Sequence, residues 1–223
     1  MLISKDMIMA QLAEHASRLG FDPRNVEQRS PEWFKMRLGV ITGSKAKDFL
    51  AGENTETYKN YIAEKAAEQL TGELPEEISA KPLEWGKQHE SSALAAFSFI
   101  TGLTVEQVPF IYKDLTGSFG CSPDGICSDG AGLELKCPWS SREYIKFVRD
   151  NLPKPEEIKQ VQFCMWVSGA DKWHVAKYDP RFKAKQLHSI TLTRCEKTMS
   201  EFDARAEIAL RDLQEIYEAF NDE

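Results

Sequence analysis

The stretch that decides the fold is GCSPDGICSDGAGLELKCP, residues 120–138. It contains two groups of turn-forming residues, PDG and SDGAG, with short apolar runs between and after them. Two strands joined by so short a turn must be antiparallel neighbours, and side chains alternate between the faces of a strand. Glu134 and Lys136 therefore share one face, and Asp124 can lie across from them. We predict a β-hairpin that presents two carboxylates and one ammonium on a small surface.

This grouping of charges indicates a metal site. Two carboxylates are costly to bring together unless a cation neutralises them, and a hard divalent cation does so with oxygen ligands. The spacing, in which Pro-Asp is followed ten residues after Asp124 by Glu134-x-Lys136, resembles the signature of the PD-(D/E)xK nucleases. The alternative is a surface hairpin with a solvated charge pair, and the rest of the chain has to decide between the two.

Composition and length are those of a single soluble globular domain. The chain has 223 residues, of which 42% are hydrophobic and 28% charged, and we expect one nuclease domain over residues 1–223. No apolar run reaches the roughly eighteen residues of a membrane span. The first twenty residues carry Lys5, Asp6 and Glu14, which a signal sequence would not tolerate. We therefore expect a cytoplasmic protein without a membrane partner.

The net charge of −7 argues mildly against a protein that coats nucleic acid by general electrostatics. It does not exclude a nuclease, because acids can line a metal site while the basic residues are concentrated elsewhere. The chain has no C-x-x-C motif and no paired histidines, so we expect buried, reduced thiols rather than disulfides or zinc ligands. The five cysteines are Cys121, Cys127, Cys137, Cys164 and Cys195.

A phosphate site is predicted in residues 27–44. A helix should begin after Ser30 and end before Gly39, which places Trp33 and Arg37 one turn apart on one face. The Thr-Gly-Ser segment that ends at Ser44 is predicted to cap the N-terminus of a second helix, at residues 45–50. Free amides, a hydroxyl and a nearby arginine can bind a phosphate group. The alternative is a capped helix with a surface arginine.

Two further helices carry polar residues on otherwise apolar faces. Glu90 lies in the apolar sector of a helix over residues 82–100, and Gln162 lies in that of a helix over residues 155–168. Buried polar side chains need partners, so these two indicate a shared polar site at the hairpin. His89 projects about a quarter-turn from Glu90, and we give it no role.

The remaining pattern completes an α/β domain. We find no internal repeat and no long linker. The predicted helices cover residues 5–19, 57–70, 139–148 and 199–220, the predicted strands residues 173–178 and 187–194, and a loop residues 73–79.

Four motifs in this order resemble the phage-type alkaline exonucleases, or YqaJ-type viral recombinases, within the PD-(D/E)xK superfamily. The motifs are EWFKMRLGVITGS (32–44), LEWGKQHE (83–90), CSPDGICSDGAGLELKCP (121–138) and QVQFCMWV (160–167). The resemblance implies a central mixed β-sheet flanked by helices, with a restriction-endonuclease-like core. It also implies a ring-shaped homotrimer that digests the 5′-ended strand of duplex DNA in the 5′→3′ direction. The 3′ single-stranded tail would pass to a phage-type annealing protein in a bacterial host.

The resemblance also implies roles for individual residues. The implied metal ligands, for two Mg²⁺ ions with Mn²⁺ as a substitute, are Asp124, Glu134, Glu90 and the Leu135 carbonyl. The implied catalytic set is Lys136, Glu134, Asp124, Glu90 and Gln162. The residues that would bind the 5′-phosphate are Arg37, Ser44 and Ser122.

Two other functions remain open from the sequence. One is a structure- or sequence-specific endonuclease with the same core, which would nick closed circular DNA. The other is a non-catalytic subunit that binds DNA ends, against which the intact Asp124, Glu134 and Lys136 set argues. Whether Lys136 acts as a general base or as an electrostatic stabiliser also remains open.

Overall fold

The structure is a computed structural model and describes residues 2–73 and 81–221. The helices are α1 (Lys5–Glu14), α2 (Ala16–Leu19), α3 (Pro31–Arg37), α4 (Ala46–Phe49), α5 (Glu56–Thr71), α6 (Lys81–Thr101), α7 (Ser141–Asp150), α8 (Pro155–Ser168) and α9 (Glu196–Asn221). The strands are β1 (Ile41–Thr42), β2 (Val105–Glu106), β3 (Ile111–Tyr112), β4 (Phe119–Cys121), β5 (Gly125–Cys127), β6 (Gly132–Lys136), β7 (Lys172–Tyr178) and β8 (Leu187–Thr193). Short 3₁₀ turns lie at Pro23–Asn25 and Gly43–Lys45.

The main sheet has the strand order β2-β5-β6-β7-β8. Its β6 and β7 are parallel, and the other neighbouring pairs are antiparallel. Helices pack on both faces, because α6 covers one side and α8 the other. The predicted class, a mixed sheet flanked by helices, is confirmed.

A second sheet, of order β1-β4-β3, was not predicted. Strand β4 ends at Cys121, and Pro123 follows without a backbone N–H to donate to a ladder. The chain therefore leaves the small sheet at Ser122 and enters the main sheet at Gly125. Residues 122–124, which connect the two sheets, contain two of the predicted site residues.

The predicted hairpin is confirmed. Strands β5 and β6 pair antiparallel, with Gly125 opposite Leu133 and Ile126 opposite Gly132. A Cβ atom on Gly132 would lie 2.4 Å from the ring of Trp173 on the next strand. A glycine is therefore needed here for β6 to approach β7 closely.

The two faces of the main sheet belong to separate apolar clusters. Leu133 and Leu135 pack with Phe97 of α6 in the smaller cluster. Trp173 and Val175 of β7 point to the other face and join the larger core. Glu134 and Lys136, which alternate with the two leucines, therefore point to the α8 side of the sheet.

Several predicted boundaries differ from the structure. The helix predicted for residues 5–19 is divided between α1 and α2 at His15, which is buried and stacks on the ring of Tyr112 at 4.1 Å. Helix α9 begins at Glu196, three residues before its predicted start. Of the loop predicted for residues 73–79, all but the first residue lies outside the described residues. Within the described ranges, no helix has the length and apolarity to cross a membrane.

The cysteine prediction is confirmed in part. Within the described residues no disulfide is formed, and Cys121, Cys127 and Cys164 are buried. Cys137 is only half-buried and Cys195 is exposed, because the latter lies just before α9 at the surface.

Candidate active site

The hairpin brings Asp124 and Glu134 together. Continuing the β5–β6 register by one residue places Glu134 opposite Asp124, with both side chains on the same face. The Asp124 N–H donates to the Leu133 carbonyl at 3.0 Å, and the Leu135 N–H donates to Asp124 Oδ2 at 2.6 Å. Burial, and then the charge of Glu134, raise the pKa of Asp124 to about 8. The two acids are thus close enough to repel each other.

Glu134 is held by two donors. Lys136 Nζ and Gln160 Nε2 each lie 2.8 Å from Glu134 Oε1, and only 7% of the Glu134 side chain is exposed. Lys136 Nζ also approaches Gln160 Oε1 at 3.5 Å. The adjacent charge of Glu134 raises the pKa of Lys136 above its usual range. Lys136 is therefore an ammonium ion at neutral pH in the metal-free protein.

The prediction that Gln162 belongs to this site is wrong. Gln162 donates to the Thr193 carbonyl at 2.8 Å and accepts from the Cys195 N–H at 3.0 Å. Its side chain therefore fastens the segment between β8 and α9. Gln160 contacts Glu134 instead, because residues two apart on a helix point about 200° apart. The residue pattern of 155–168 predicted the right helix but the wrong face.

Glu90 reaches the site from α6 and carries a partner that the sequence analysis missed. Arg29 Nη1 donates to Glu90 Oε2 at 2.8 Å. Arg29 adopts a left-handed backbone with φ of 71°. The preceding Gln28 donates to the carbonyls of Val108 and Pro123 at 2.9 Å each. These contacts hold the loop that carries Arg29 beside Asp124.

A cavity of about 530 Å³ connects these groups. Its charged lining also includes Glu157 and Lys177, which the sequence analysis did not select. Lys177 Nζ lies 2.7 Å from Glu157 Oε1, and both side chains are buried. Lys177 on β7 lies opposite Lys136 on β6. The negative charge of Glu157 therefore offsets the positive charges of two neighbouring ammonium groups. The predicted residues in the lining are Glu90, Asp124, Glu134, Leu135 and Lys136.

The donor set of this cavity fits a hard divalent cation. Carboxylate and carbonyl oxygens are the ligands that such ions prefer. Among the described residues, no three acids of this cavity have ligand oxygens within 4.8 Å of one another. The reason is that Arg29 holds Glu90, while Lys136 and Gln160 hold Glu134. Binding of a cation by all three acids would require Glu90 to exchange Arg29 for the ion.

Of the three residues predicted to bind phosphate, Arg37 and Ser122 are in contact. Strands β1 and β4 are parallel, with Thr42 opposite Gly120, so both segments leave the small sheet at the same end. Ser44 lies in the 3₁₀ turn Gly43–Lys45 that follows β1, and Ser122 directly follows β4. Arg37 Nη1 donates to Ser122 Oγ at 3.0 Å. Thr42 makes no capping bond, and its hydroxyl lies 3.3 Å from that of Ser44.

The guanidinium of Arg37 is held against an aromatic ring. Its Cζ lies 4.3 Å from the centre of the Trp33 ring, as expected for residues one turn apart. Arg37 and Ser44 line a second cavity, of about 710 Å³. This cavity also contains three lysines and two glutamates, namely Lys35, Lys45, Lys65, Glu64 and Glu68.

A family model and the solved structures of alkaline exonucleases are both similar to this chain. Residues 32–171 match the model of the YqaJ-like viral recombinase domain. The chain is 31% identical to the alkaline exonuclease LHK-Exo of Laribacter hongkongensis, with a TM-score of 0.77 over 86% of this chain and 96% of that one. A second crystal structure of LHK-Exo, in complex with dAMP, gives a TM-score of 0.78 with the same identity and coverage.

Two further proteins are similar to this chain, one in fold and one in part of its sequence. A phage-related exonuclease from Haemophilus somnus 129PT shares the fold, with a TM-score of 0.68 at 13% identity over 82% of this chain and 96% of that one. The curated protein ExoD of Escherichia coli (strain K12) is 46% identical over 50 residues. This match covers 22% of the chain and spans 58% of the length of ExoD.

Proposed function

This chain belongs to the family of YqaJ-like viral recombinase domains, and on that premise we propose that it is a Mg²⁺-dependent exonuclease for double-stranded DNA. It degrades the 5′-ended strand in the 5′→3′ direction and leaves a 3′ single-stranded tail for recombination by strand annealing. The observation that carries the proposal is the placement of Asp124 opposite Glu134 and beside Lys136, in a cavity that also contains Glu90.

Two Mg²⁺ ions, for which Mn²⁺ can substitute, are held by oxygen ligands of this cavity. The proposed ligands are Asp124, Glu134, Glu90 and the Leu135 carbonyl. When bound, the metal polarises the phosphate, lowers the pKa of a bound water and stabilises the leaving oxygen.

The protein groups around these acids position them and supply charge. The Leu135 N–H fixes one oxygen of Asp124, and Gln160 fixes one oxygen of Glu134. Lys136 carries a proton at neutral pH because Glu134 raises its pKa. This state favours electrostatic stabilisation of the charge that develops on the phosphate over a role as general base.

Recognition of the 5′-end is assigned to Arg37, Ser44 and Ser122. Ser122 precedes Asp124 by two residues, which span about 7 Å of extended chain. This is about one nucleotide of a single strand, so a 5′-phosphate held by Arg37 and Ser122 would leave the first internal phosphodiester near Asp124. Release of mononucleotides follows, and the complex of LHK-Exo with dAMP is consistent with this product.

The remaining features of the proposal concern the whole protein. The substrate is a double-stranded DNA end, and the chain acts as a single nuclease domain over residues 1–223 and as a homotrimer. A phage-type single-strand annealing protein receives the product in the bacterial cytoplasm.

The decisive experiment uses linear duplex DNA with one 5′-phosphorylated strand and a label on each strand in turn. With Mg²⁺, the 5′-phosphorylated strand should shorten from its 5′-end to mononucleotides, and EDTA should stop the reaction. Closed circular duplex should stay intact. Shortening from the 3′-end, or nicking of the circle, would overturn the proposal.

A further inference from the structure

Three metal-ligating side chains meet on the face of the main sheet that is opposite to Glu134 and Lys136. Cys127 ends β5, Asp129 lies in the turn before β6, and His174 lies on β7 opposite Leu133. Their ligand atoms all lie within 4.8 Å of one another. His174 Nε2 is 3.1 Å from Asp129 Oδ2.

The histidine is held in the orientation that a metal ligand needs. Its Nδ1 lies 2.9 Å from Oγ1 of Thr191, its cross-strand neighbour on β8. A hydrogen bond at the far ring nitrogen is how proteins commonly fix a metal-binding histidine, because it sets both the tautomer and the ring orientation. Cys127 and His174 are buried, and the ring of Phe97 packs 5.8 Å from that of His174.

The ammonium group of a lysine lies on the solvent side of the cluster. Lys172 Nζ lies 2.7 Å from Asp129 Oδ2, the oxygen that also faces His174. About a quarter of the Asp129 side chain and a third of the Lys172 side chain are exposed. The ammonium therefore marks a position that attracts cations and that an ion can reach from solvent.

We propose that Cys127, Asp129 and His174 form a binding site for Zn²⁺. One sulfur, one nitrogen and one oxygen ligand suit this borderline-soft ion and not Mg²⁺. Binding exchanges the S–H proton of Cys127 for a sulfur–zinc bond, releases that proton to solvent and displaces Lys172 from Asp129. It also replaces the Nε2–H of His174, which faces Asp129, by a nitrogen–zinc bond, and the ring then carries its proton on Nδ1 and donates it to Thr191. Water completes a tetrahedron. Ligand atoms about 2.0–2.3 Å from zinc lie about 3.3–3.8 Å apart, so the cluster has only to contract slightly.

This site was not predicted from the sequence. The sequence has no C-x-x-C motif and no paired histidines, and we therefore did not expect zinc ligands. The ligands come from three segments that only the β5–β6 turn and the β6–β7 register bring together. The site is also separate from the proposed nuclease centre, because Glu134 and His174 lie on opposite faces of the sheet.

Cobalt provides the first test, because a thiolate bound to Co²⁺ gives a charge-transfer absorption that an all-oxygen site cannot give. The intact chain, reduced and freed of metal, should develop this band with one equivalent of Co²⁺, and Zn²⁺ should remove it. Cys127→Ser should abolish the band, and Cys195→Ser, the matched control at an exposed cysteine, should keep it. No band in the intact chain, or a band that survives Cys127→Ser, would overturn the proposal.

Two further variants separate a metal site from a hydrogen-bond network that is only structural. Thr191→Val should weaken Zn²⁺ binding about tenfold, as expected when a ligating histidine loses its outer partner. Lys172→Ala should strengthen Zn²⁺ binding, because the competing ammonium is gone. Affinity is measured by competition with a chelating dye, with circular dichroism as the check on folding. A structural network predicts a lower melting temperature in both variants and no change in Zn²⁺ affinity, which would also overturn the proposal.

A second inference concerns an exposed aromatic ring at the rim of the nuclease cavity. Half of the surface of Trp139 is exposed, although the residue lines the same cavity as Asp124, Glu134 and Lys136. The exposed part of the indole is therefore available to a ligand that enters this cavity.

The surroundings of Trp139 hold it in place. Arg181 donates from Nη1 to the Trp139 carbonyl and from Nη2 to the Pro138 carbonyl, each at 3.1 Å. The same guanidinium forms a two-point ion pair with the fully buried Asp179 and lies 4.7 Å from the Trp85 ring. Trp85 in turn meets the Trp139 ring edge-on at 5.5 Å. The indole is therefore fixed before any ligand arrives.

We infer that Trp139 stacks on a nucleobase of the DNA strand that enters the cavity, an inference that rests on the proposed function. A fixed aromatic face binds any base, since every base has a π-face. Such a contact suits an enzyme that degrades DNA without regard to sequence. It places the base without contacting the reacting phosphate, so Trp139 is a positioning residue.

The test compares Trp139→Ala, Trp139→Phe and Ile145→Ala on duplex ends, with Ile145 as a control at an exposed apolar residue of α7. Trp139→Ala should raise KM about tenfold or more, the phenylalanine variant should restore most of the loss, and Ile145→Ala should change nothing. The penalty should shrink when the contacted nucleotide is abasic. Equal KM in all variants, or a penalty that persists on every abasic substrate, would overturn the stacking role, whereas failure of the intact chain to degrade DNA would overturn the proposed function itself.

Discussion

Gln160 and Gln162 lie on the same helix, two residues apart, and have opposite surroundings. Gln160 contacts the acid and the lysine of the candidate site, and Gln162 binds two backbone groups of the segment before α9. The pair therefore separates a role in the reaction from a role in folding. The alanine variants of these two glutamines can therefore serve as controls for each other.

We predict that Gln160→Ala lowers turnover with little change in stability, because Glu134 loses a donor that orients it. Gln162→Ala should instead lower the free energy of unfolding by about 1–3 kcal/mol, because two backbone groups lose their partner, and should leave turnover nearly intact. Urea unfolding and digestion of linear duplex measure the two effects. Loss of turnover with Gln162→Ala alone would restore the original sequence prediction.

Lys136 offers a larger effect on the reaction. Loss of one preorganised donor to the developing charge typically costs about 3–4 kcal/mol of barrier, so Lys136→Ala should lower turnover about a hundredfold or more. Lys146→Ala, at an exposed lysine of α7, is the control and should retain turnover. If Lys136→Ala digests linear duplex at the parental rate, Lys136 has no part in the reaction.

Asp124 should make the metal-free protein less stable as pH rises. Its pKa is about 8 in the fold and near 4 in an unfolded chain. A group whose pKa is raised on folding contributes stability that is fully present below the unfolded pKa and is lost as pH rises through the folded pKa. The loss therefore occurs between about pH 4 and pH 8.

Asp124→Asn keeps the oxygen that accepts from Leu135 and removes the charge. In EDTA, its melting temperature should exceed that of the parent by a margin that grows between about pH 5 and pH 8. At pH 8 the margin should reach at least about 1 kcal/mol, or about 2–4 °C for a chain of this size. Asp22→Asn is the control, because pairing with Arg24 lowers the pKa of Asp22 to about 2, below this window. A margin that stays constant with pH would contradict a raised pKa at Asp124.

The site residues that the sequence predicted correctly are those placed by local geometry. Asp124, Glu134 and Lys136 lie on one hairpin, where strand alternation alone decides which side chains share a face. Arg29 and Gln160 reach the site from other segments, so their position depends on loop path and helix rotation. Two residues that are two positions apart on a helix point in nearly opposite directions. The apolar pattern of α8 could not show which glutamine faces the site, because residues 161–167 are all buried.

Among the elements, the parallel pairing of β1 with β4 places the segments that carry Ser44 and Ser122 at one end of the small sheet. The carboxyl ends of parallel strands meet at one edge, and here Ser44 and Ser122 follow those ends, where Arg37 contacts Ser122. The order of the motifs predicted these residues, whereas the small sheet that holds them could not be predicted. Strands of two or three residues carry too little alternation to identify.

Arg37→Ala should reduce the preference for 5′-phosphorylated over 5′-hydroxyl ends at least about tenfold, because charge-assisted hydrogen bonds contribute about 1.5–3 kcal/mol. Rates on the two kinds of duplex end, measured side by side, give the preference directly. Arg149→Ala is the matched control, since Arg149 is exposed and its ion pair among the described residues is with its neighbour Asp150. An unchanged preference in Arg37→Ala would place the phosphate elsewhere.

At the scale of the whole molecule, the acidic net charge of −7 constrains how the protein can remain on DNA. A protein held by six to ten phosphate contacts loses about 10³–10⁵ in affinity between about 50 and 200 mM salt. The net charge of −7 argues mildly against a protein that depends on many such contacts spread over its surface. A closed homotrimeric ring would hold the duplex by topology instead, with basic residues needed only along the channel.

We therefore predict that digestion, once begun, remains processive when salt is raised from about 50 to about 200 mM, a range over which binding by phosphate contacts would weaken sharply. The reaction is started on a long labelled duplex, then salt and an excess of unlabelled duplex ends are added together, and the length degraded per binding event is measured. Initiation should slow, because encounter with a DNA end depends on steering by charge, while the length degraded per event should stay nearly constant. Light scattering at both salt concentrations checks that the trimer persists. If the protein is a trimer but each event ends after a few nucleotides at the higher salt, surface contacts hold the DNA and the ring does not enclose it.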